Sequence, residues 1–338
     1  RVQSPALRLI VEREREIEAF DAREYWTIEA DLKHDGQDFD SRLVRFDNER
    51  LKQFDINNEE QAKAVRRRLL DDAGGKLKAG EIKRSQRKRR PAPPFITSTL
   101  QQDAARKLRF SAQKTMRTAQ ALYEAGFITY MRTDSVHQSA DAQSDIRGCI
   151  KGRFGDDYVP DKPNFYKTKS KNAQEAHEAI RPTSACDGPD QLKKRLQGDQ
   201  IRLYELIWKR AVASQMVPAR VDMVAVEFAC GEGASFRSNG SVIAFPGFLR
   251  AFEESRPAGK VEMENRLPDM REGDVVSVEE IRAEQHFTEP PPRYSEASLV
   301  KALEDFGIGR PSTYASIIQT LVRRNYVELD RRRFTPTE

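Results

Sequence analysis

Residues 98–132, STLQQDAARKLRFSAQKTMRTAQALYEAGFITYMR, decide how this chain is read. Ser98 with Gln101 matches a capping box in front of a helix predicted over Leu100–Leu108. Ser111 then opens a second helix, Lys114 to Ala125, with Met116, Ala119 and Tyr123 on one face. Gly126 stands where a left-handed helix terminus belongs, and Phe127-Ile128-Thr129-Tyr130-Met131 changes to strand-forming residues. The same order recurs near the other end of the chain. A helix runs from Ser295 to Phe306, the turn Gly307-Ile308-Gly309 follows, and a helix extends from about Pro311 to Arg323. A strand, Tyr326–Leu329, and a basic arm, Arg331-Arg332-Arg333, complete it. Both stretches read as a helix-turn-helix with a wing, an arrangement used on nucleic acid. By pattern alone, two generic helix pairs fit equally well.

Outward from these repeats, Ser4-Pro5 opens a helix to about Phe20, with Ala6, Ile10, Ile17 and Phe20 near one face. Tyr25–Leu32 alternates as a strand, His34-Asp35-Gly36 supplies a turn, and Arg42–Phe46 is the return strand. Asn57 caps a helix to about Leu70. Ser139–Phe154 and Asp199–Gln215 are two more helices, the second burying Leu203, Ile207 and Trp208. Strand patterning returns in Val221–Phe228, Ser235–Phe245 and Val275–Ile281. The expected class is multidomain α+β, a helical block inserted into one β-rich assembly.

The chain has 338 residues, 33% of them charged, and a formal net charge of +5. That charge is concentrated: Lys76–Arg90 holds eight basic residues and one acid. Between Gly74-Gly75 and Pro91-Ala92-Pro93-Pro94 the run reads as a solvated or disordered loop at a boundary, and it makes nucleic acid a candidate partner. No stretch approaches the roughly 18 apolar residues of a membrane span. The charged first residues are not a secretory leader, and the missing initial Met suggests a piece of a longer protein. Cys149, Cys186 and Cys230 are too scattered for a disulfide framework or a C-x-x-C metal site, so a reducing cytoplasm is expected.

No G-x-x-x-x-G-K-[ST] phosphate loop is present. His34, His137, His177 and His286 have neither zinc nor triad spacing, and Asp38-Phe39-Asp40 reads as a solvated turn. Tyr130 and Arg132, two apart in an extended segment, point the same way. A phenol, with a pKa of about 10, is a weak nucleophile at neutral pH. A neighbouring guanidinium favours the phenolate and neutralises a phosphate under attack, which suits phosphoryl transfer to tyrosine. On the residues alone, a packed tyrosine beside a surface arginine is the plainer reading. His177 and Arg181 share a face if Glu175–Thr183 is helical, where they could contact a phosphate or assist proton movement; the alternative is a surface turn ended by Pro182. At the opening of the last helix, free amides, the hydroxyl of Ser312 or Thr313, and Arg310 would suit a phosphate, or are ordinary punctuation between helices.

Five segments, in order, give these pieces a common reading: Arg1-Val2-Gln3-Ser4-Pro5-Ala6, Pro94–Gln102, Ile128–Ser135, Glu175–Thr183 and Ser295–Ser316. Through them the chain resembles, from end to end, the bacterial type IA DNA topoisomerases (topoisomerase I). The resemblance implies a toroidal core with a β-rich arch and two CAP-like, winged-helix-like helical domains. Residues 1–20 plus 293–338 would floor a single-strand groove, 21–90 plus 217–292 would form the arch, and 91–216 would carry the nucleophile. Tyr130 would attack a backbone phosphate to give a 5′-phosphotyrosine and a free 3′-hydroxyl. Arg132 would hold that phosphate, and His177 would act as proton shuttle or phosphate contact. Arg1, Val2, Gln3, Arg181, Arg310, Thr313 and Arg324 would line the DNA path.

The resemblance further implies ATP-independent relaxation of negatively supercoiled DNA by a cytoplasmic, nucleoid-associated monomer acting on single strands, with no membrane partner. In the family, an acidic Mg²⁺-binding Toprim domain precedes the segment matching Arg1. The expectation is that Mg²⁺ serves the intact enzyme, that no metal binds this fragment, and that the fragment binds DNA without cleaving it. A non-catalytic single-stranded nucleic-acid-binding module is the competing class; a full motif holding both Tyr130 and Arg132 argues against it.

Overall fold

The computed structural model describes residues 2–167, 177–253 and 265–337. Strands β1 (Glu24–His34) and β2 (Gln37–Phe46) are joined by a two-residue turn in which Asp35 and Gly36 take positive φ, 46° and 79°. That turn matches the natural twist of a hairpin. After the short β3 (Glu49–Arg50) comes α2 (Glu59–Ala73), capped by Asn58 rather than Asn57: its side chain accepts from Gln61 N at 2.9 Å. Four further strands, β4 (Lys76–Arg89), β5 (Ala219–Cys230), β6 (Ala234–Phe245) and β7 (Val275–Phe287), complete a seven-stranded antiparallel sheet in the order β1-β7-β4-β5-β6-β2-β3. β1 also pairs with β2, so the pairing closes on itself. Ile28, Leu32, Phe39, Phe228, Phe236 and Ile281 fill its interior, with Ala62 and Leu69 of α2 packed among them.

The basic run is the largest departure from the sequence reading. Lys76–Arg89 is not a loop but a strand, paired with β5 from Lys78 to Arg89. Leu77 and Ala79 are buried while the basic side chains project into solvent. A strand tolerates charge on any face that water reaches, so charge density by itself did not report a break in the ladder.

The helical block holds α3 (Thr97–Asp103), α4 (Ala112–Glu124), α5 (Ala140–Phe154), α6 (Pro189–Leu192) and α7 (Asp199–Ser214). Leu203, Tyr204, Ile207 and Trp208 of α7 are at the centre of its core, and Trp208 Nε1 donates to Ala185 O at 2.8 Å. Phe248 and Ala251, the latter in α8 (Arg250–Glu253), join this core from beyond β6. Ser98 does not cap α3. The helix starts a turn earlier, at Thr97, and Thr99 Oγ1 accepts from Ile96 N at 3.0 Å, while Ser98 and Gln101 are buried. α3 continues as a π-helical turn over Ala104–Leu108. On α4 the buried face is Thr115, Ala119 and Leu122, and Tyr123 turns outward.

A third cluster joins α1 (Gln3–Glu18), α9 (Glu296–Asp305), α10 (Tyr314–Arg323), β8 (Val327–Asp330) and β9 (Arg333–Pro336) through Ala6, Ile10, Leu299, Ile317, Leu321 and Phe334. α1 begins at Gln3, so Ser4 and Pro5 lie inside its first turn. α10 begins at Tyr314 rather than Pro311, because Gly309 has φ +81° and Thr313 N donates to Arg310 O at 2.8 Å, closing a turn first. The two helical repeats end alike. Phe127 N donates to Leu122 O and Gly126 N to Tyr123 O; Tyr326 N donates to Leu321 O and Asn325 N to Val322 O. Gly126 (φ +80°) and Asn325 (φ +54°) take the left-handed position that this closure requires. Among the described residues no helix is long and apolar enough to cross a membrane.

Candidate active site and nucleic-acid interface

The left-handed turn at Gly126 sends the chain off α4 into Phe127–Ser135, an irregular segment with bends at Phe127, Thr129 and Met131 that belongs to no ladder. Ile128 makes one isolated bridge, to Pro182, and Phe95 makes another, to Ile180. The strand expected over Phe127–Met131 stops there: Thr129 N donates to Arg181 O, but Arg181 N returns to the Thr129 hydroxyl instead of the Thr129 carbonyl, so the next rung of the ladder is not made. Side-chain hydroxyls supply what the ladder lacks. Thr129 Oγ1 donates to Ala179 O at 2.7 Å and accepts from Arg181 N at 3.0 Å. Thr97 Oγ1 donates to Met131 O at 2.7 Å and accepts from Thr133 N at 2.9 Å.

Burial alternates along this segment. Met131 and Thr133 face inward, whereas Tyr130, 44% exposed, and Arg132 face outward. The Tyr130 ring packs edge-on against Tyr123, with centroids 5.3 Å apart. Tyr130 and Arg132 thus share the outward side of one pinned segment.

His177 is half-buried at the start of the strip that crosses Thr129. That strip is extended, not helical: Ile180 and Pro182 make the two bridges, and a residue before proline is disfavoured in the helical region. His177 and Arg181 therefore do not share a helix face; Glu175 and Ala176 lie outside the described residues. Arg181, expected on the DNA path, is engaged internally. Its Nη2 lies 2.6 Å from Glu178 Oε2, its Nη1 donates to Pro182 O at 3.0 Å, and its side chain is only 14% exposed. Glu178 also accepts from Ser139 N at 2.8 Å. Burial opposes the Glu178 charge, but the bonds from Ser139 and Arg181 outweigh it and hold the carboxyl below the ordinary glutamate range.

The third cluster approaches the same segment. Tyr314 is buried, and its hydroxyl is pushed up to about 12 by burial and by the carboxylates of Glu304 and Asp134, with Arg310 pulling the other way. Asp134, four residues past Tyr130, thus acts electrostatically on the Tyr314 hydroxyl. The Thr313 hydroxyl is used locally, accepting from Arg310 N at 2.8 Å, and the exposed Arg310 guanidinium donates to Gly309 O at 2.7 Å. Val2 packs against the cluster that holds Tyr314, with Gln3 beside it in the first turn of α1. Arg1 lies outside the described residues. Arg324 is exposed at the far end of α10, about 16 Å along the helix from Thr313. It is not gathered with the others.

Across the junction, Glu296 of α9 accepts from Ala112 N at the start of α4. Burial raises its carboxyl above the ordinary value, against the pull of the Ala112 amide and Arg332. The reading from sequence missed Asp134, Glu178 and Thr97. Asp134 and Glu178 sit inside motifs already singled out, but only the fold supplies their partners.

The profile of the DNA topoisomerase family matches residues 1–338. DNA topoisomerase 1 of Xylella fastidiosa is 53% identical over 350 aligned residues, covering all of this chain and 43% of that protein. The Zymomonas mobilis DNA topoisomerase 1 is 50% identical, again over the whole chain but only 28% of its own length. The full-length topoisomerase I structure from Thermotoga maritima superposes with a TM-score of 0.83 at 36% identity, over 99% of this chain and 53% of that one. The chain thus spans less than half the length of these curated relatives. With the five sequence segments, the two helical repeats and the antiparallel circuit, these matches make the chain a member of the bacterial type IA DNA topoisomerase family.

Proposed function

We propose that this chain supplies the nucleophile and part of the single-strand path of an enzyme that relaxes negatively supercoiled DNA through a transient single-strand break. The observation that carries this is the outward pair Tyr130 and Arg132 on a segment whose inward residues are fixed by buried hydrogen bonds. Tyr130 Oη attacks a backbone phosphorus. The new bond is a phosphotyrosine ester to the 5′ side; the bond that breaks is to the 3′ oxygen, which leaves with a proton, while the phenol loses its own. The ester conserves the energy of the phosphodiester, so reversal reseals the strand without ATP. The Arg132 guanidinium neutralises the phosphate as charge builds on it. His177, on the adjoining strip, assists the proton movement.

Arg310, Thr313, Val2 and Gln3 continue the strand path, with Arg324 farther along it. We divide the chain into a groove unit (1–20 plus 293–338), an arch (21–90 plus 217–292) and the nucleophile-bearing block (91–216), acting as a monomer on the nucleoid in the cytoplasm. The resemblance implies Mg²⁺. Among the described residues no group of three His, Cys, Asp or Glu side chains is placed to hold a metal, and no step here runs through the ion. By itself the chain binds single-stranded DNA without cleaving it. In the intact protein Tyr130→Phe should abolish the covalent DNA adduct and leave single-strand binding unchanged. Adduct formation at the wild-type level in that variant would remove Tyr130 from the mechanism.

A further inference from the structure

We propose that Thr97, which takes no part in the chemistry, is the positioning residue that sets Tyr130 and Arg132 against the scissile phosphate; this rests on the reading of Tyr130 as nucleophile. Thr97 is fully buried. Its hydroxyl donates to Met131 O at 2.7 Å and accepts from Thr133 N at 2.9 Å, with Thr133 O also within 3.0 Å. Its backbone N–H donates to Thr133 O at 3.0 Å. Every one of these bonds goes to a residue immediately flanking Arg132, and Met131 also follows Tyr130 directly.

Past the isolated bridge at Ile128 no strand pairs with this segment among the described residues, and its backbone is held by such bonds. Burial alternates from Tyr130 to Thr133, with Met131 and Thr133 inward, so shifting the backbone at those two inward residues shifts the outward Tyr130 and Arg132 between and beside them. Thr97 is also the first residue of α3, and α3 packs on α9 of the third cluster. One side chain therefore ties the reactive segment to the helix that docks on the unit carrying Arg310 and Thr313. Nothing about its chemistry requires a β-branched residue. What the geometry requires is a hydroxyl at that point, which serine keeps and valine removes at equal shape.

The test uses the intact gene product that contains this chain. Thr97→Val, Thr97→Ser and Tyr130→Phe are compared for single-turnover oligonucleotide cleavage, for the Kd of the same single strand, and for thermal melting. A misplacement of about 1 Å at a reacting group costs about a hundredfold in rate, so Thr97→Val should cleave about a hundredfold more slowly. Its Kd should stay within about twofold of wild type, because ground-state binding is not what the hydroxyl serves. Thr97→Ser should cleave near the wild-type rate. The proposal is overturned if folded Thr97→Val cleaves like wild type, if Thr97→Ser is as slow as Thr97→Val, or if cleavage and binding fall in equal proportion. Should Thr97→Val not fold, Thr97→Ala decides on the same readouts at a temperature where it is folded. Adduct formed by Tyr130→Phe would sink the underlying reading; its absence beside normal cleavage by Thr97→Val sinks only the positioning role.

Discussion

Glu178→Ala removes the acid that holds the His177 strip in place, and the structure sets the size of the effect. One carboxylate oxygen accepts from Ser139 N at 2.8 Å; the other meets Arg181 Nη2 at 2.6 Å and Nε at 3.2 Å. Hydrogen bonds to charged groups contribute about 1.5–3 kcal/mol each. The Glu178 side chain is 28% exposed, so water replaces part of what is lost. A total of about 2–3 kcal/mol follows, well short of the sum of three bonds. The assay is urea unfolding followed by Trp208 fluorescence, with Trp26→Phe as the common background so that the helical block alone is read. The midpoint should fall with unchanged slope. Arg181→Ala should cost a similar amount, and the double variant little more, because both changes break one unit. The Glu178 carboxyl lies below its ordinary value in the folded state. Its contribution is therefore complete above the unfolded value, about 4.3, and is lost as pH falls through the lower folded value. Wild type and variant should converge in acid. A difference below about 0.5 kcal/mol at neutral pH, the range of an ordinary surface substitution, would refute the argument, as would a gap that persists in acid.

Gly126→Ala should destabilise the block by about 1–2 kcal/mol in the same urea assay. An added Cβ meets nothing within 4 Å there, so the whole cost comes from φ +80°, and Gly126→Asn should lose less. Single-strand affinity of the chain should fall with rising salt, and Arg310→Ala should flatten the log–log slope by about 0.7, one phosphate contact. An unchanged slope would take Arg310 off the DNA path.

What the sequence conveyed and what it withheld divide along physical lines. Local signals carried well: Ser111 and Ser139 cap their helices, accepting from Lys114 N and Ala142 N, and Gly126 closes α4. Alternation in Tyr25–Leu32 marked an inward face, because Ile28, Ala30 and Leu32 have nowhere else to be buried. Failures came where a partner distant in sequence decided the outcome. The Thr129 hydroxyl took the Arg181 N–H that would have continued the ladder past Ile128, and β5 turned the basic run into a strand. For the site, the shared side of Tyr130 and Arg132 followed from two-residue periodicity, but that this side faces solvent did not: the residues alone favoured a packed tyrosine. The turning inward of Arg181 onto Glu178, whose other oxygen takes the Ser139 amide, depends on a partner distant in sequence that no local pattern encodes.

The one-sided pairing of β4 has a consequence for self-association. β7 meets β4 only over Lys76–Lys78; among the described residues no strand is paired along the other flank of the ribbon from Lys83 to Lys88. An open flank of this length is a template on which a second polypeptide could extend the sheet. Another copy offering the same ribbon would bring Lys83, Arg84, Arg87, Lys88 and Arg89 against their own counterparts, and mutual repulsion resists that approach at low ionic strength. The density of cations that disguised this ribbon as a loop thus works against identical molecules stitching together along it.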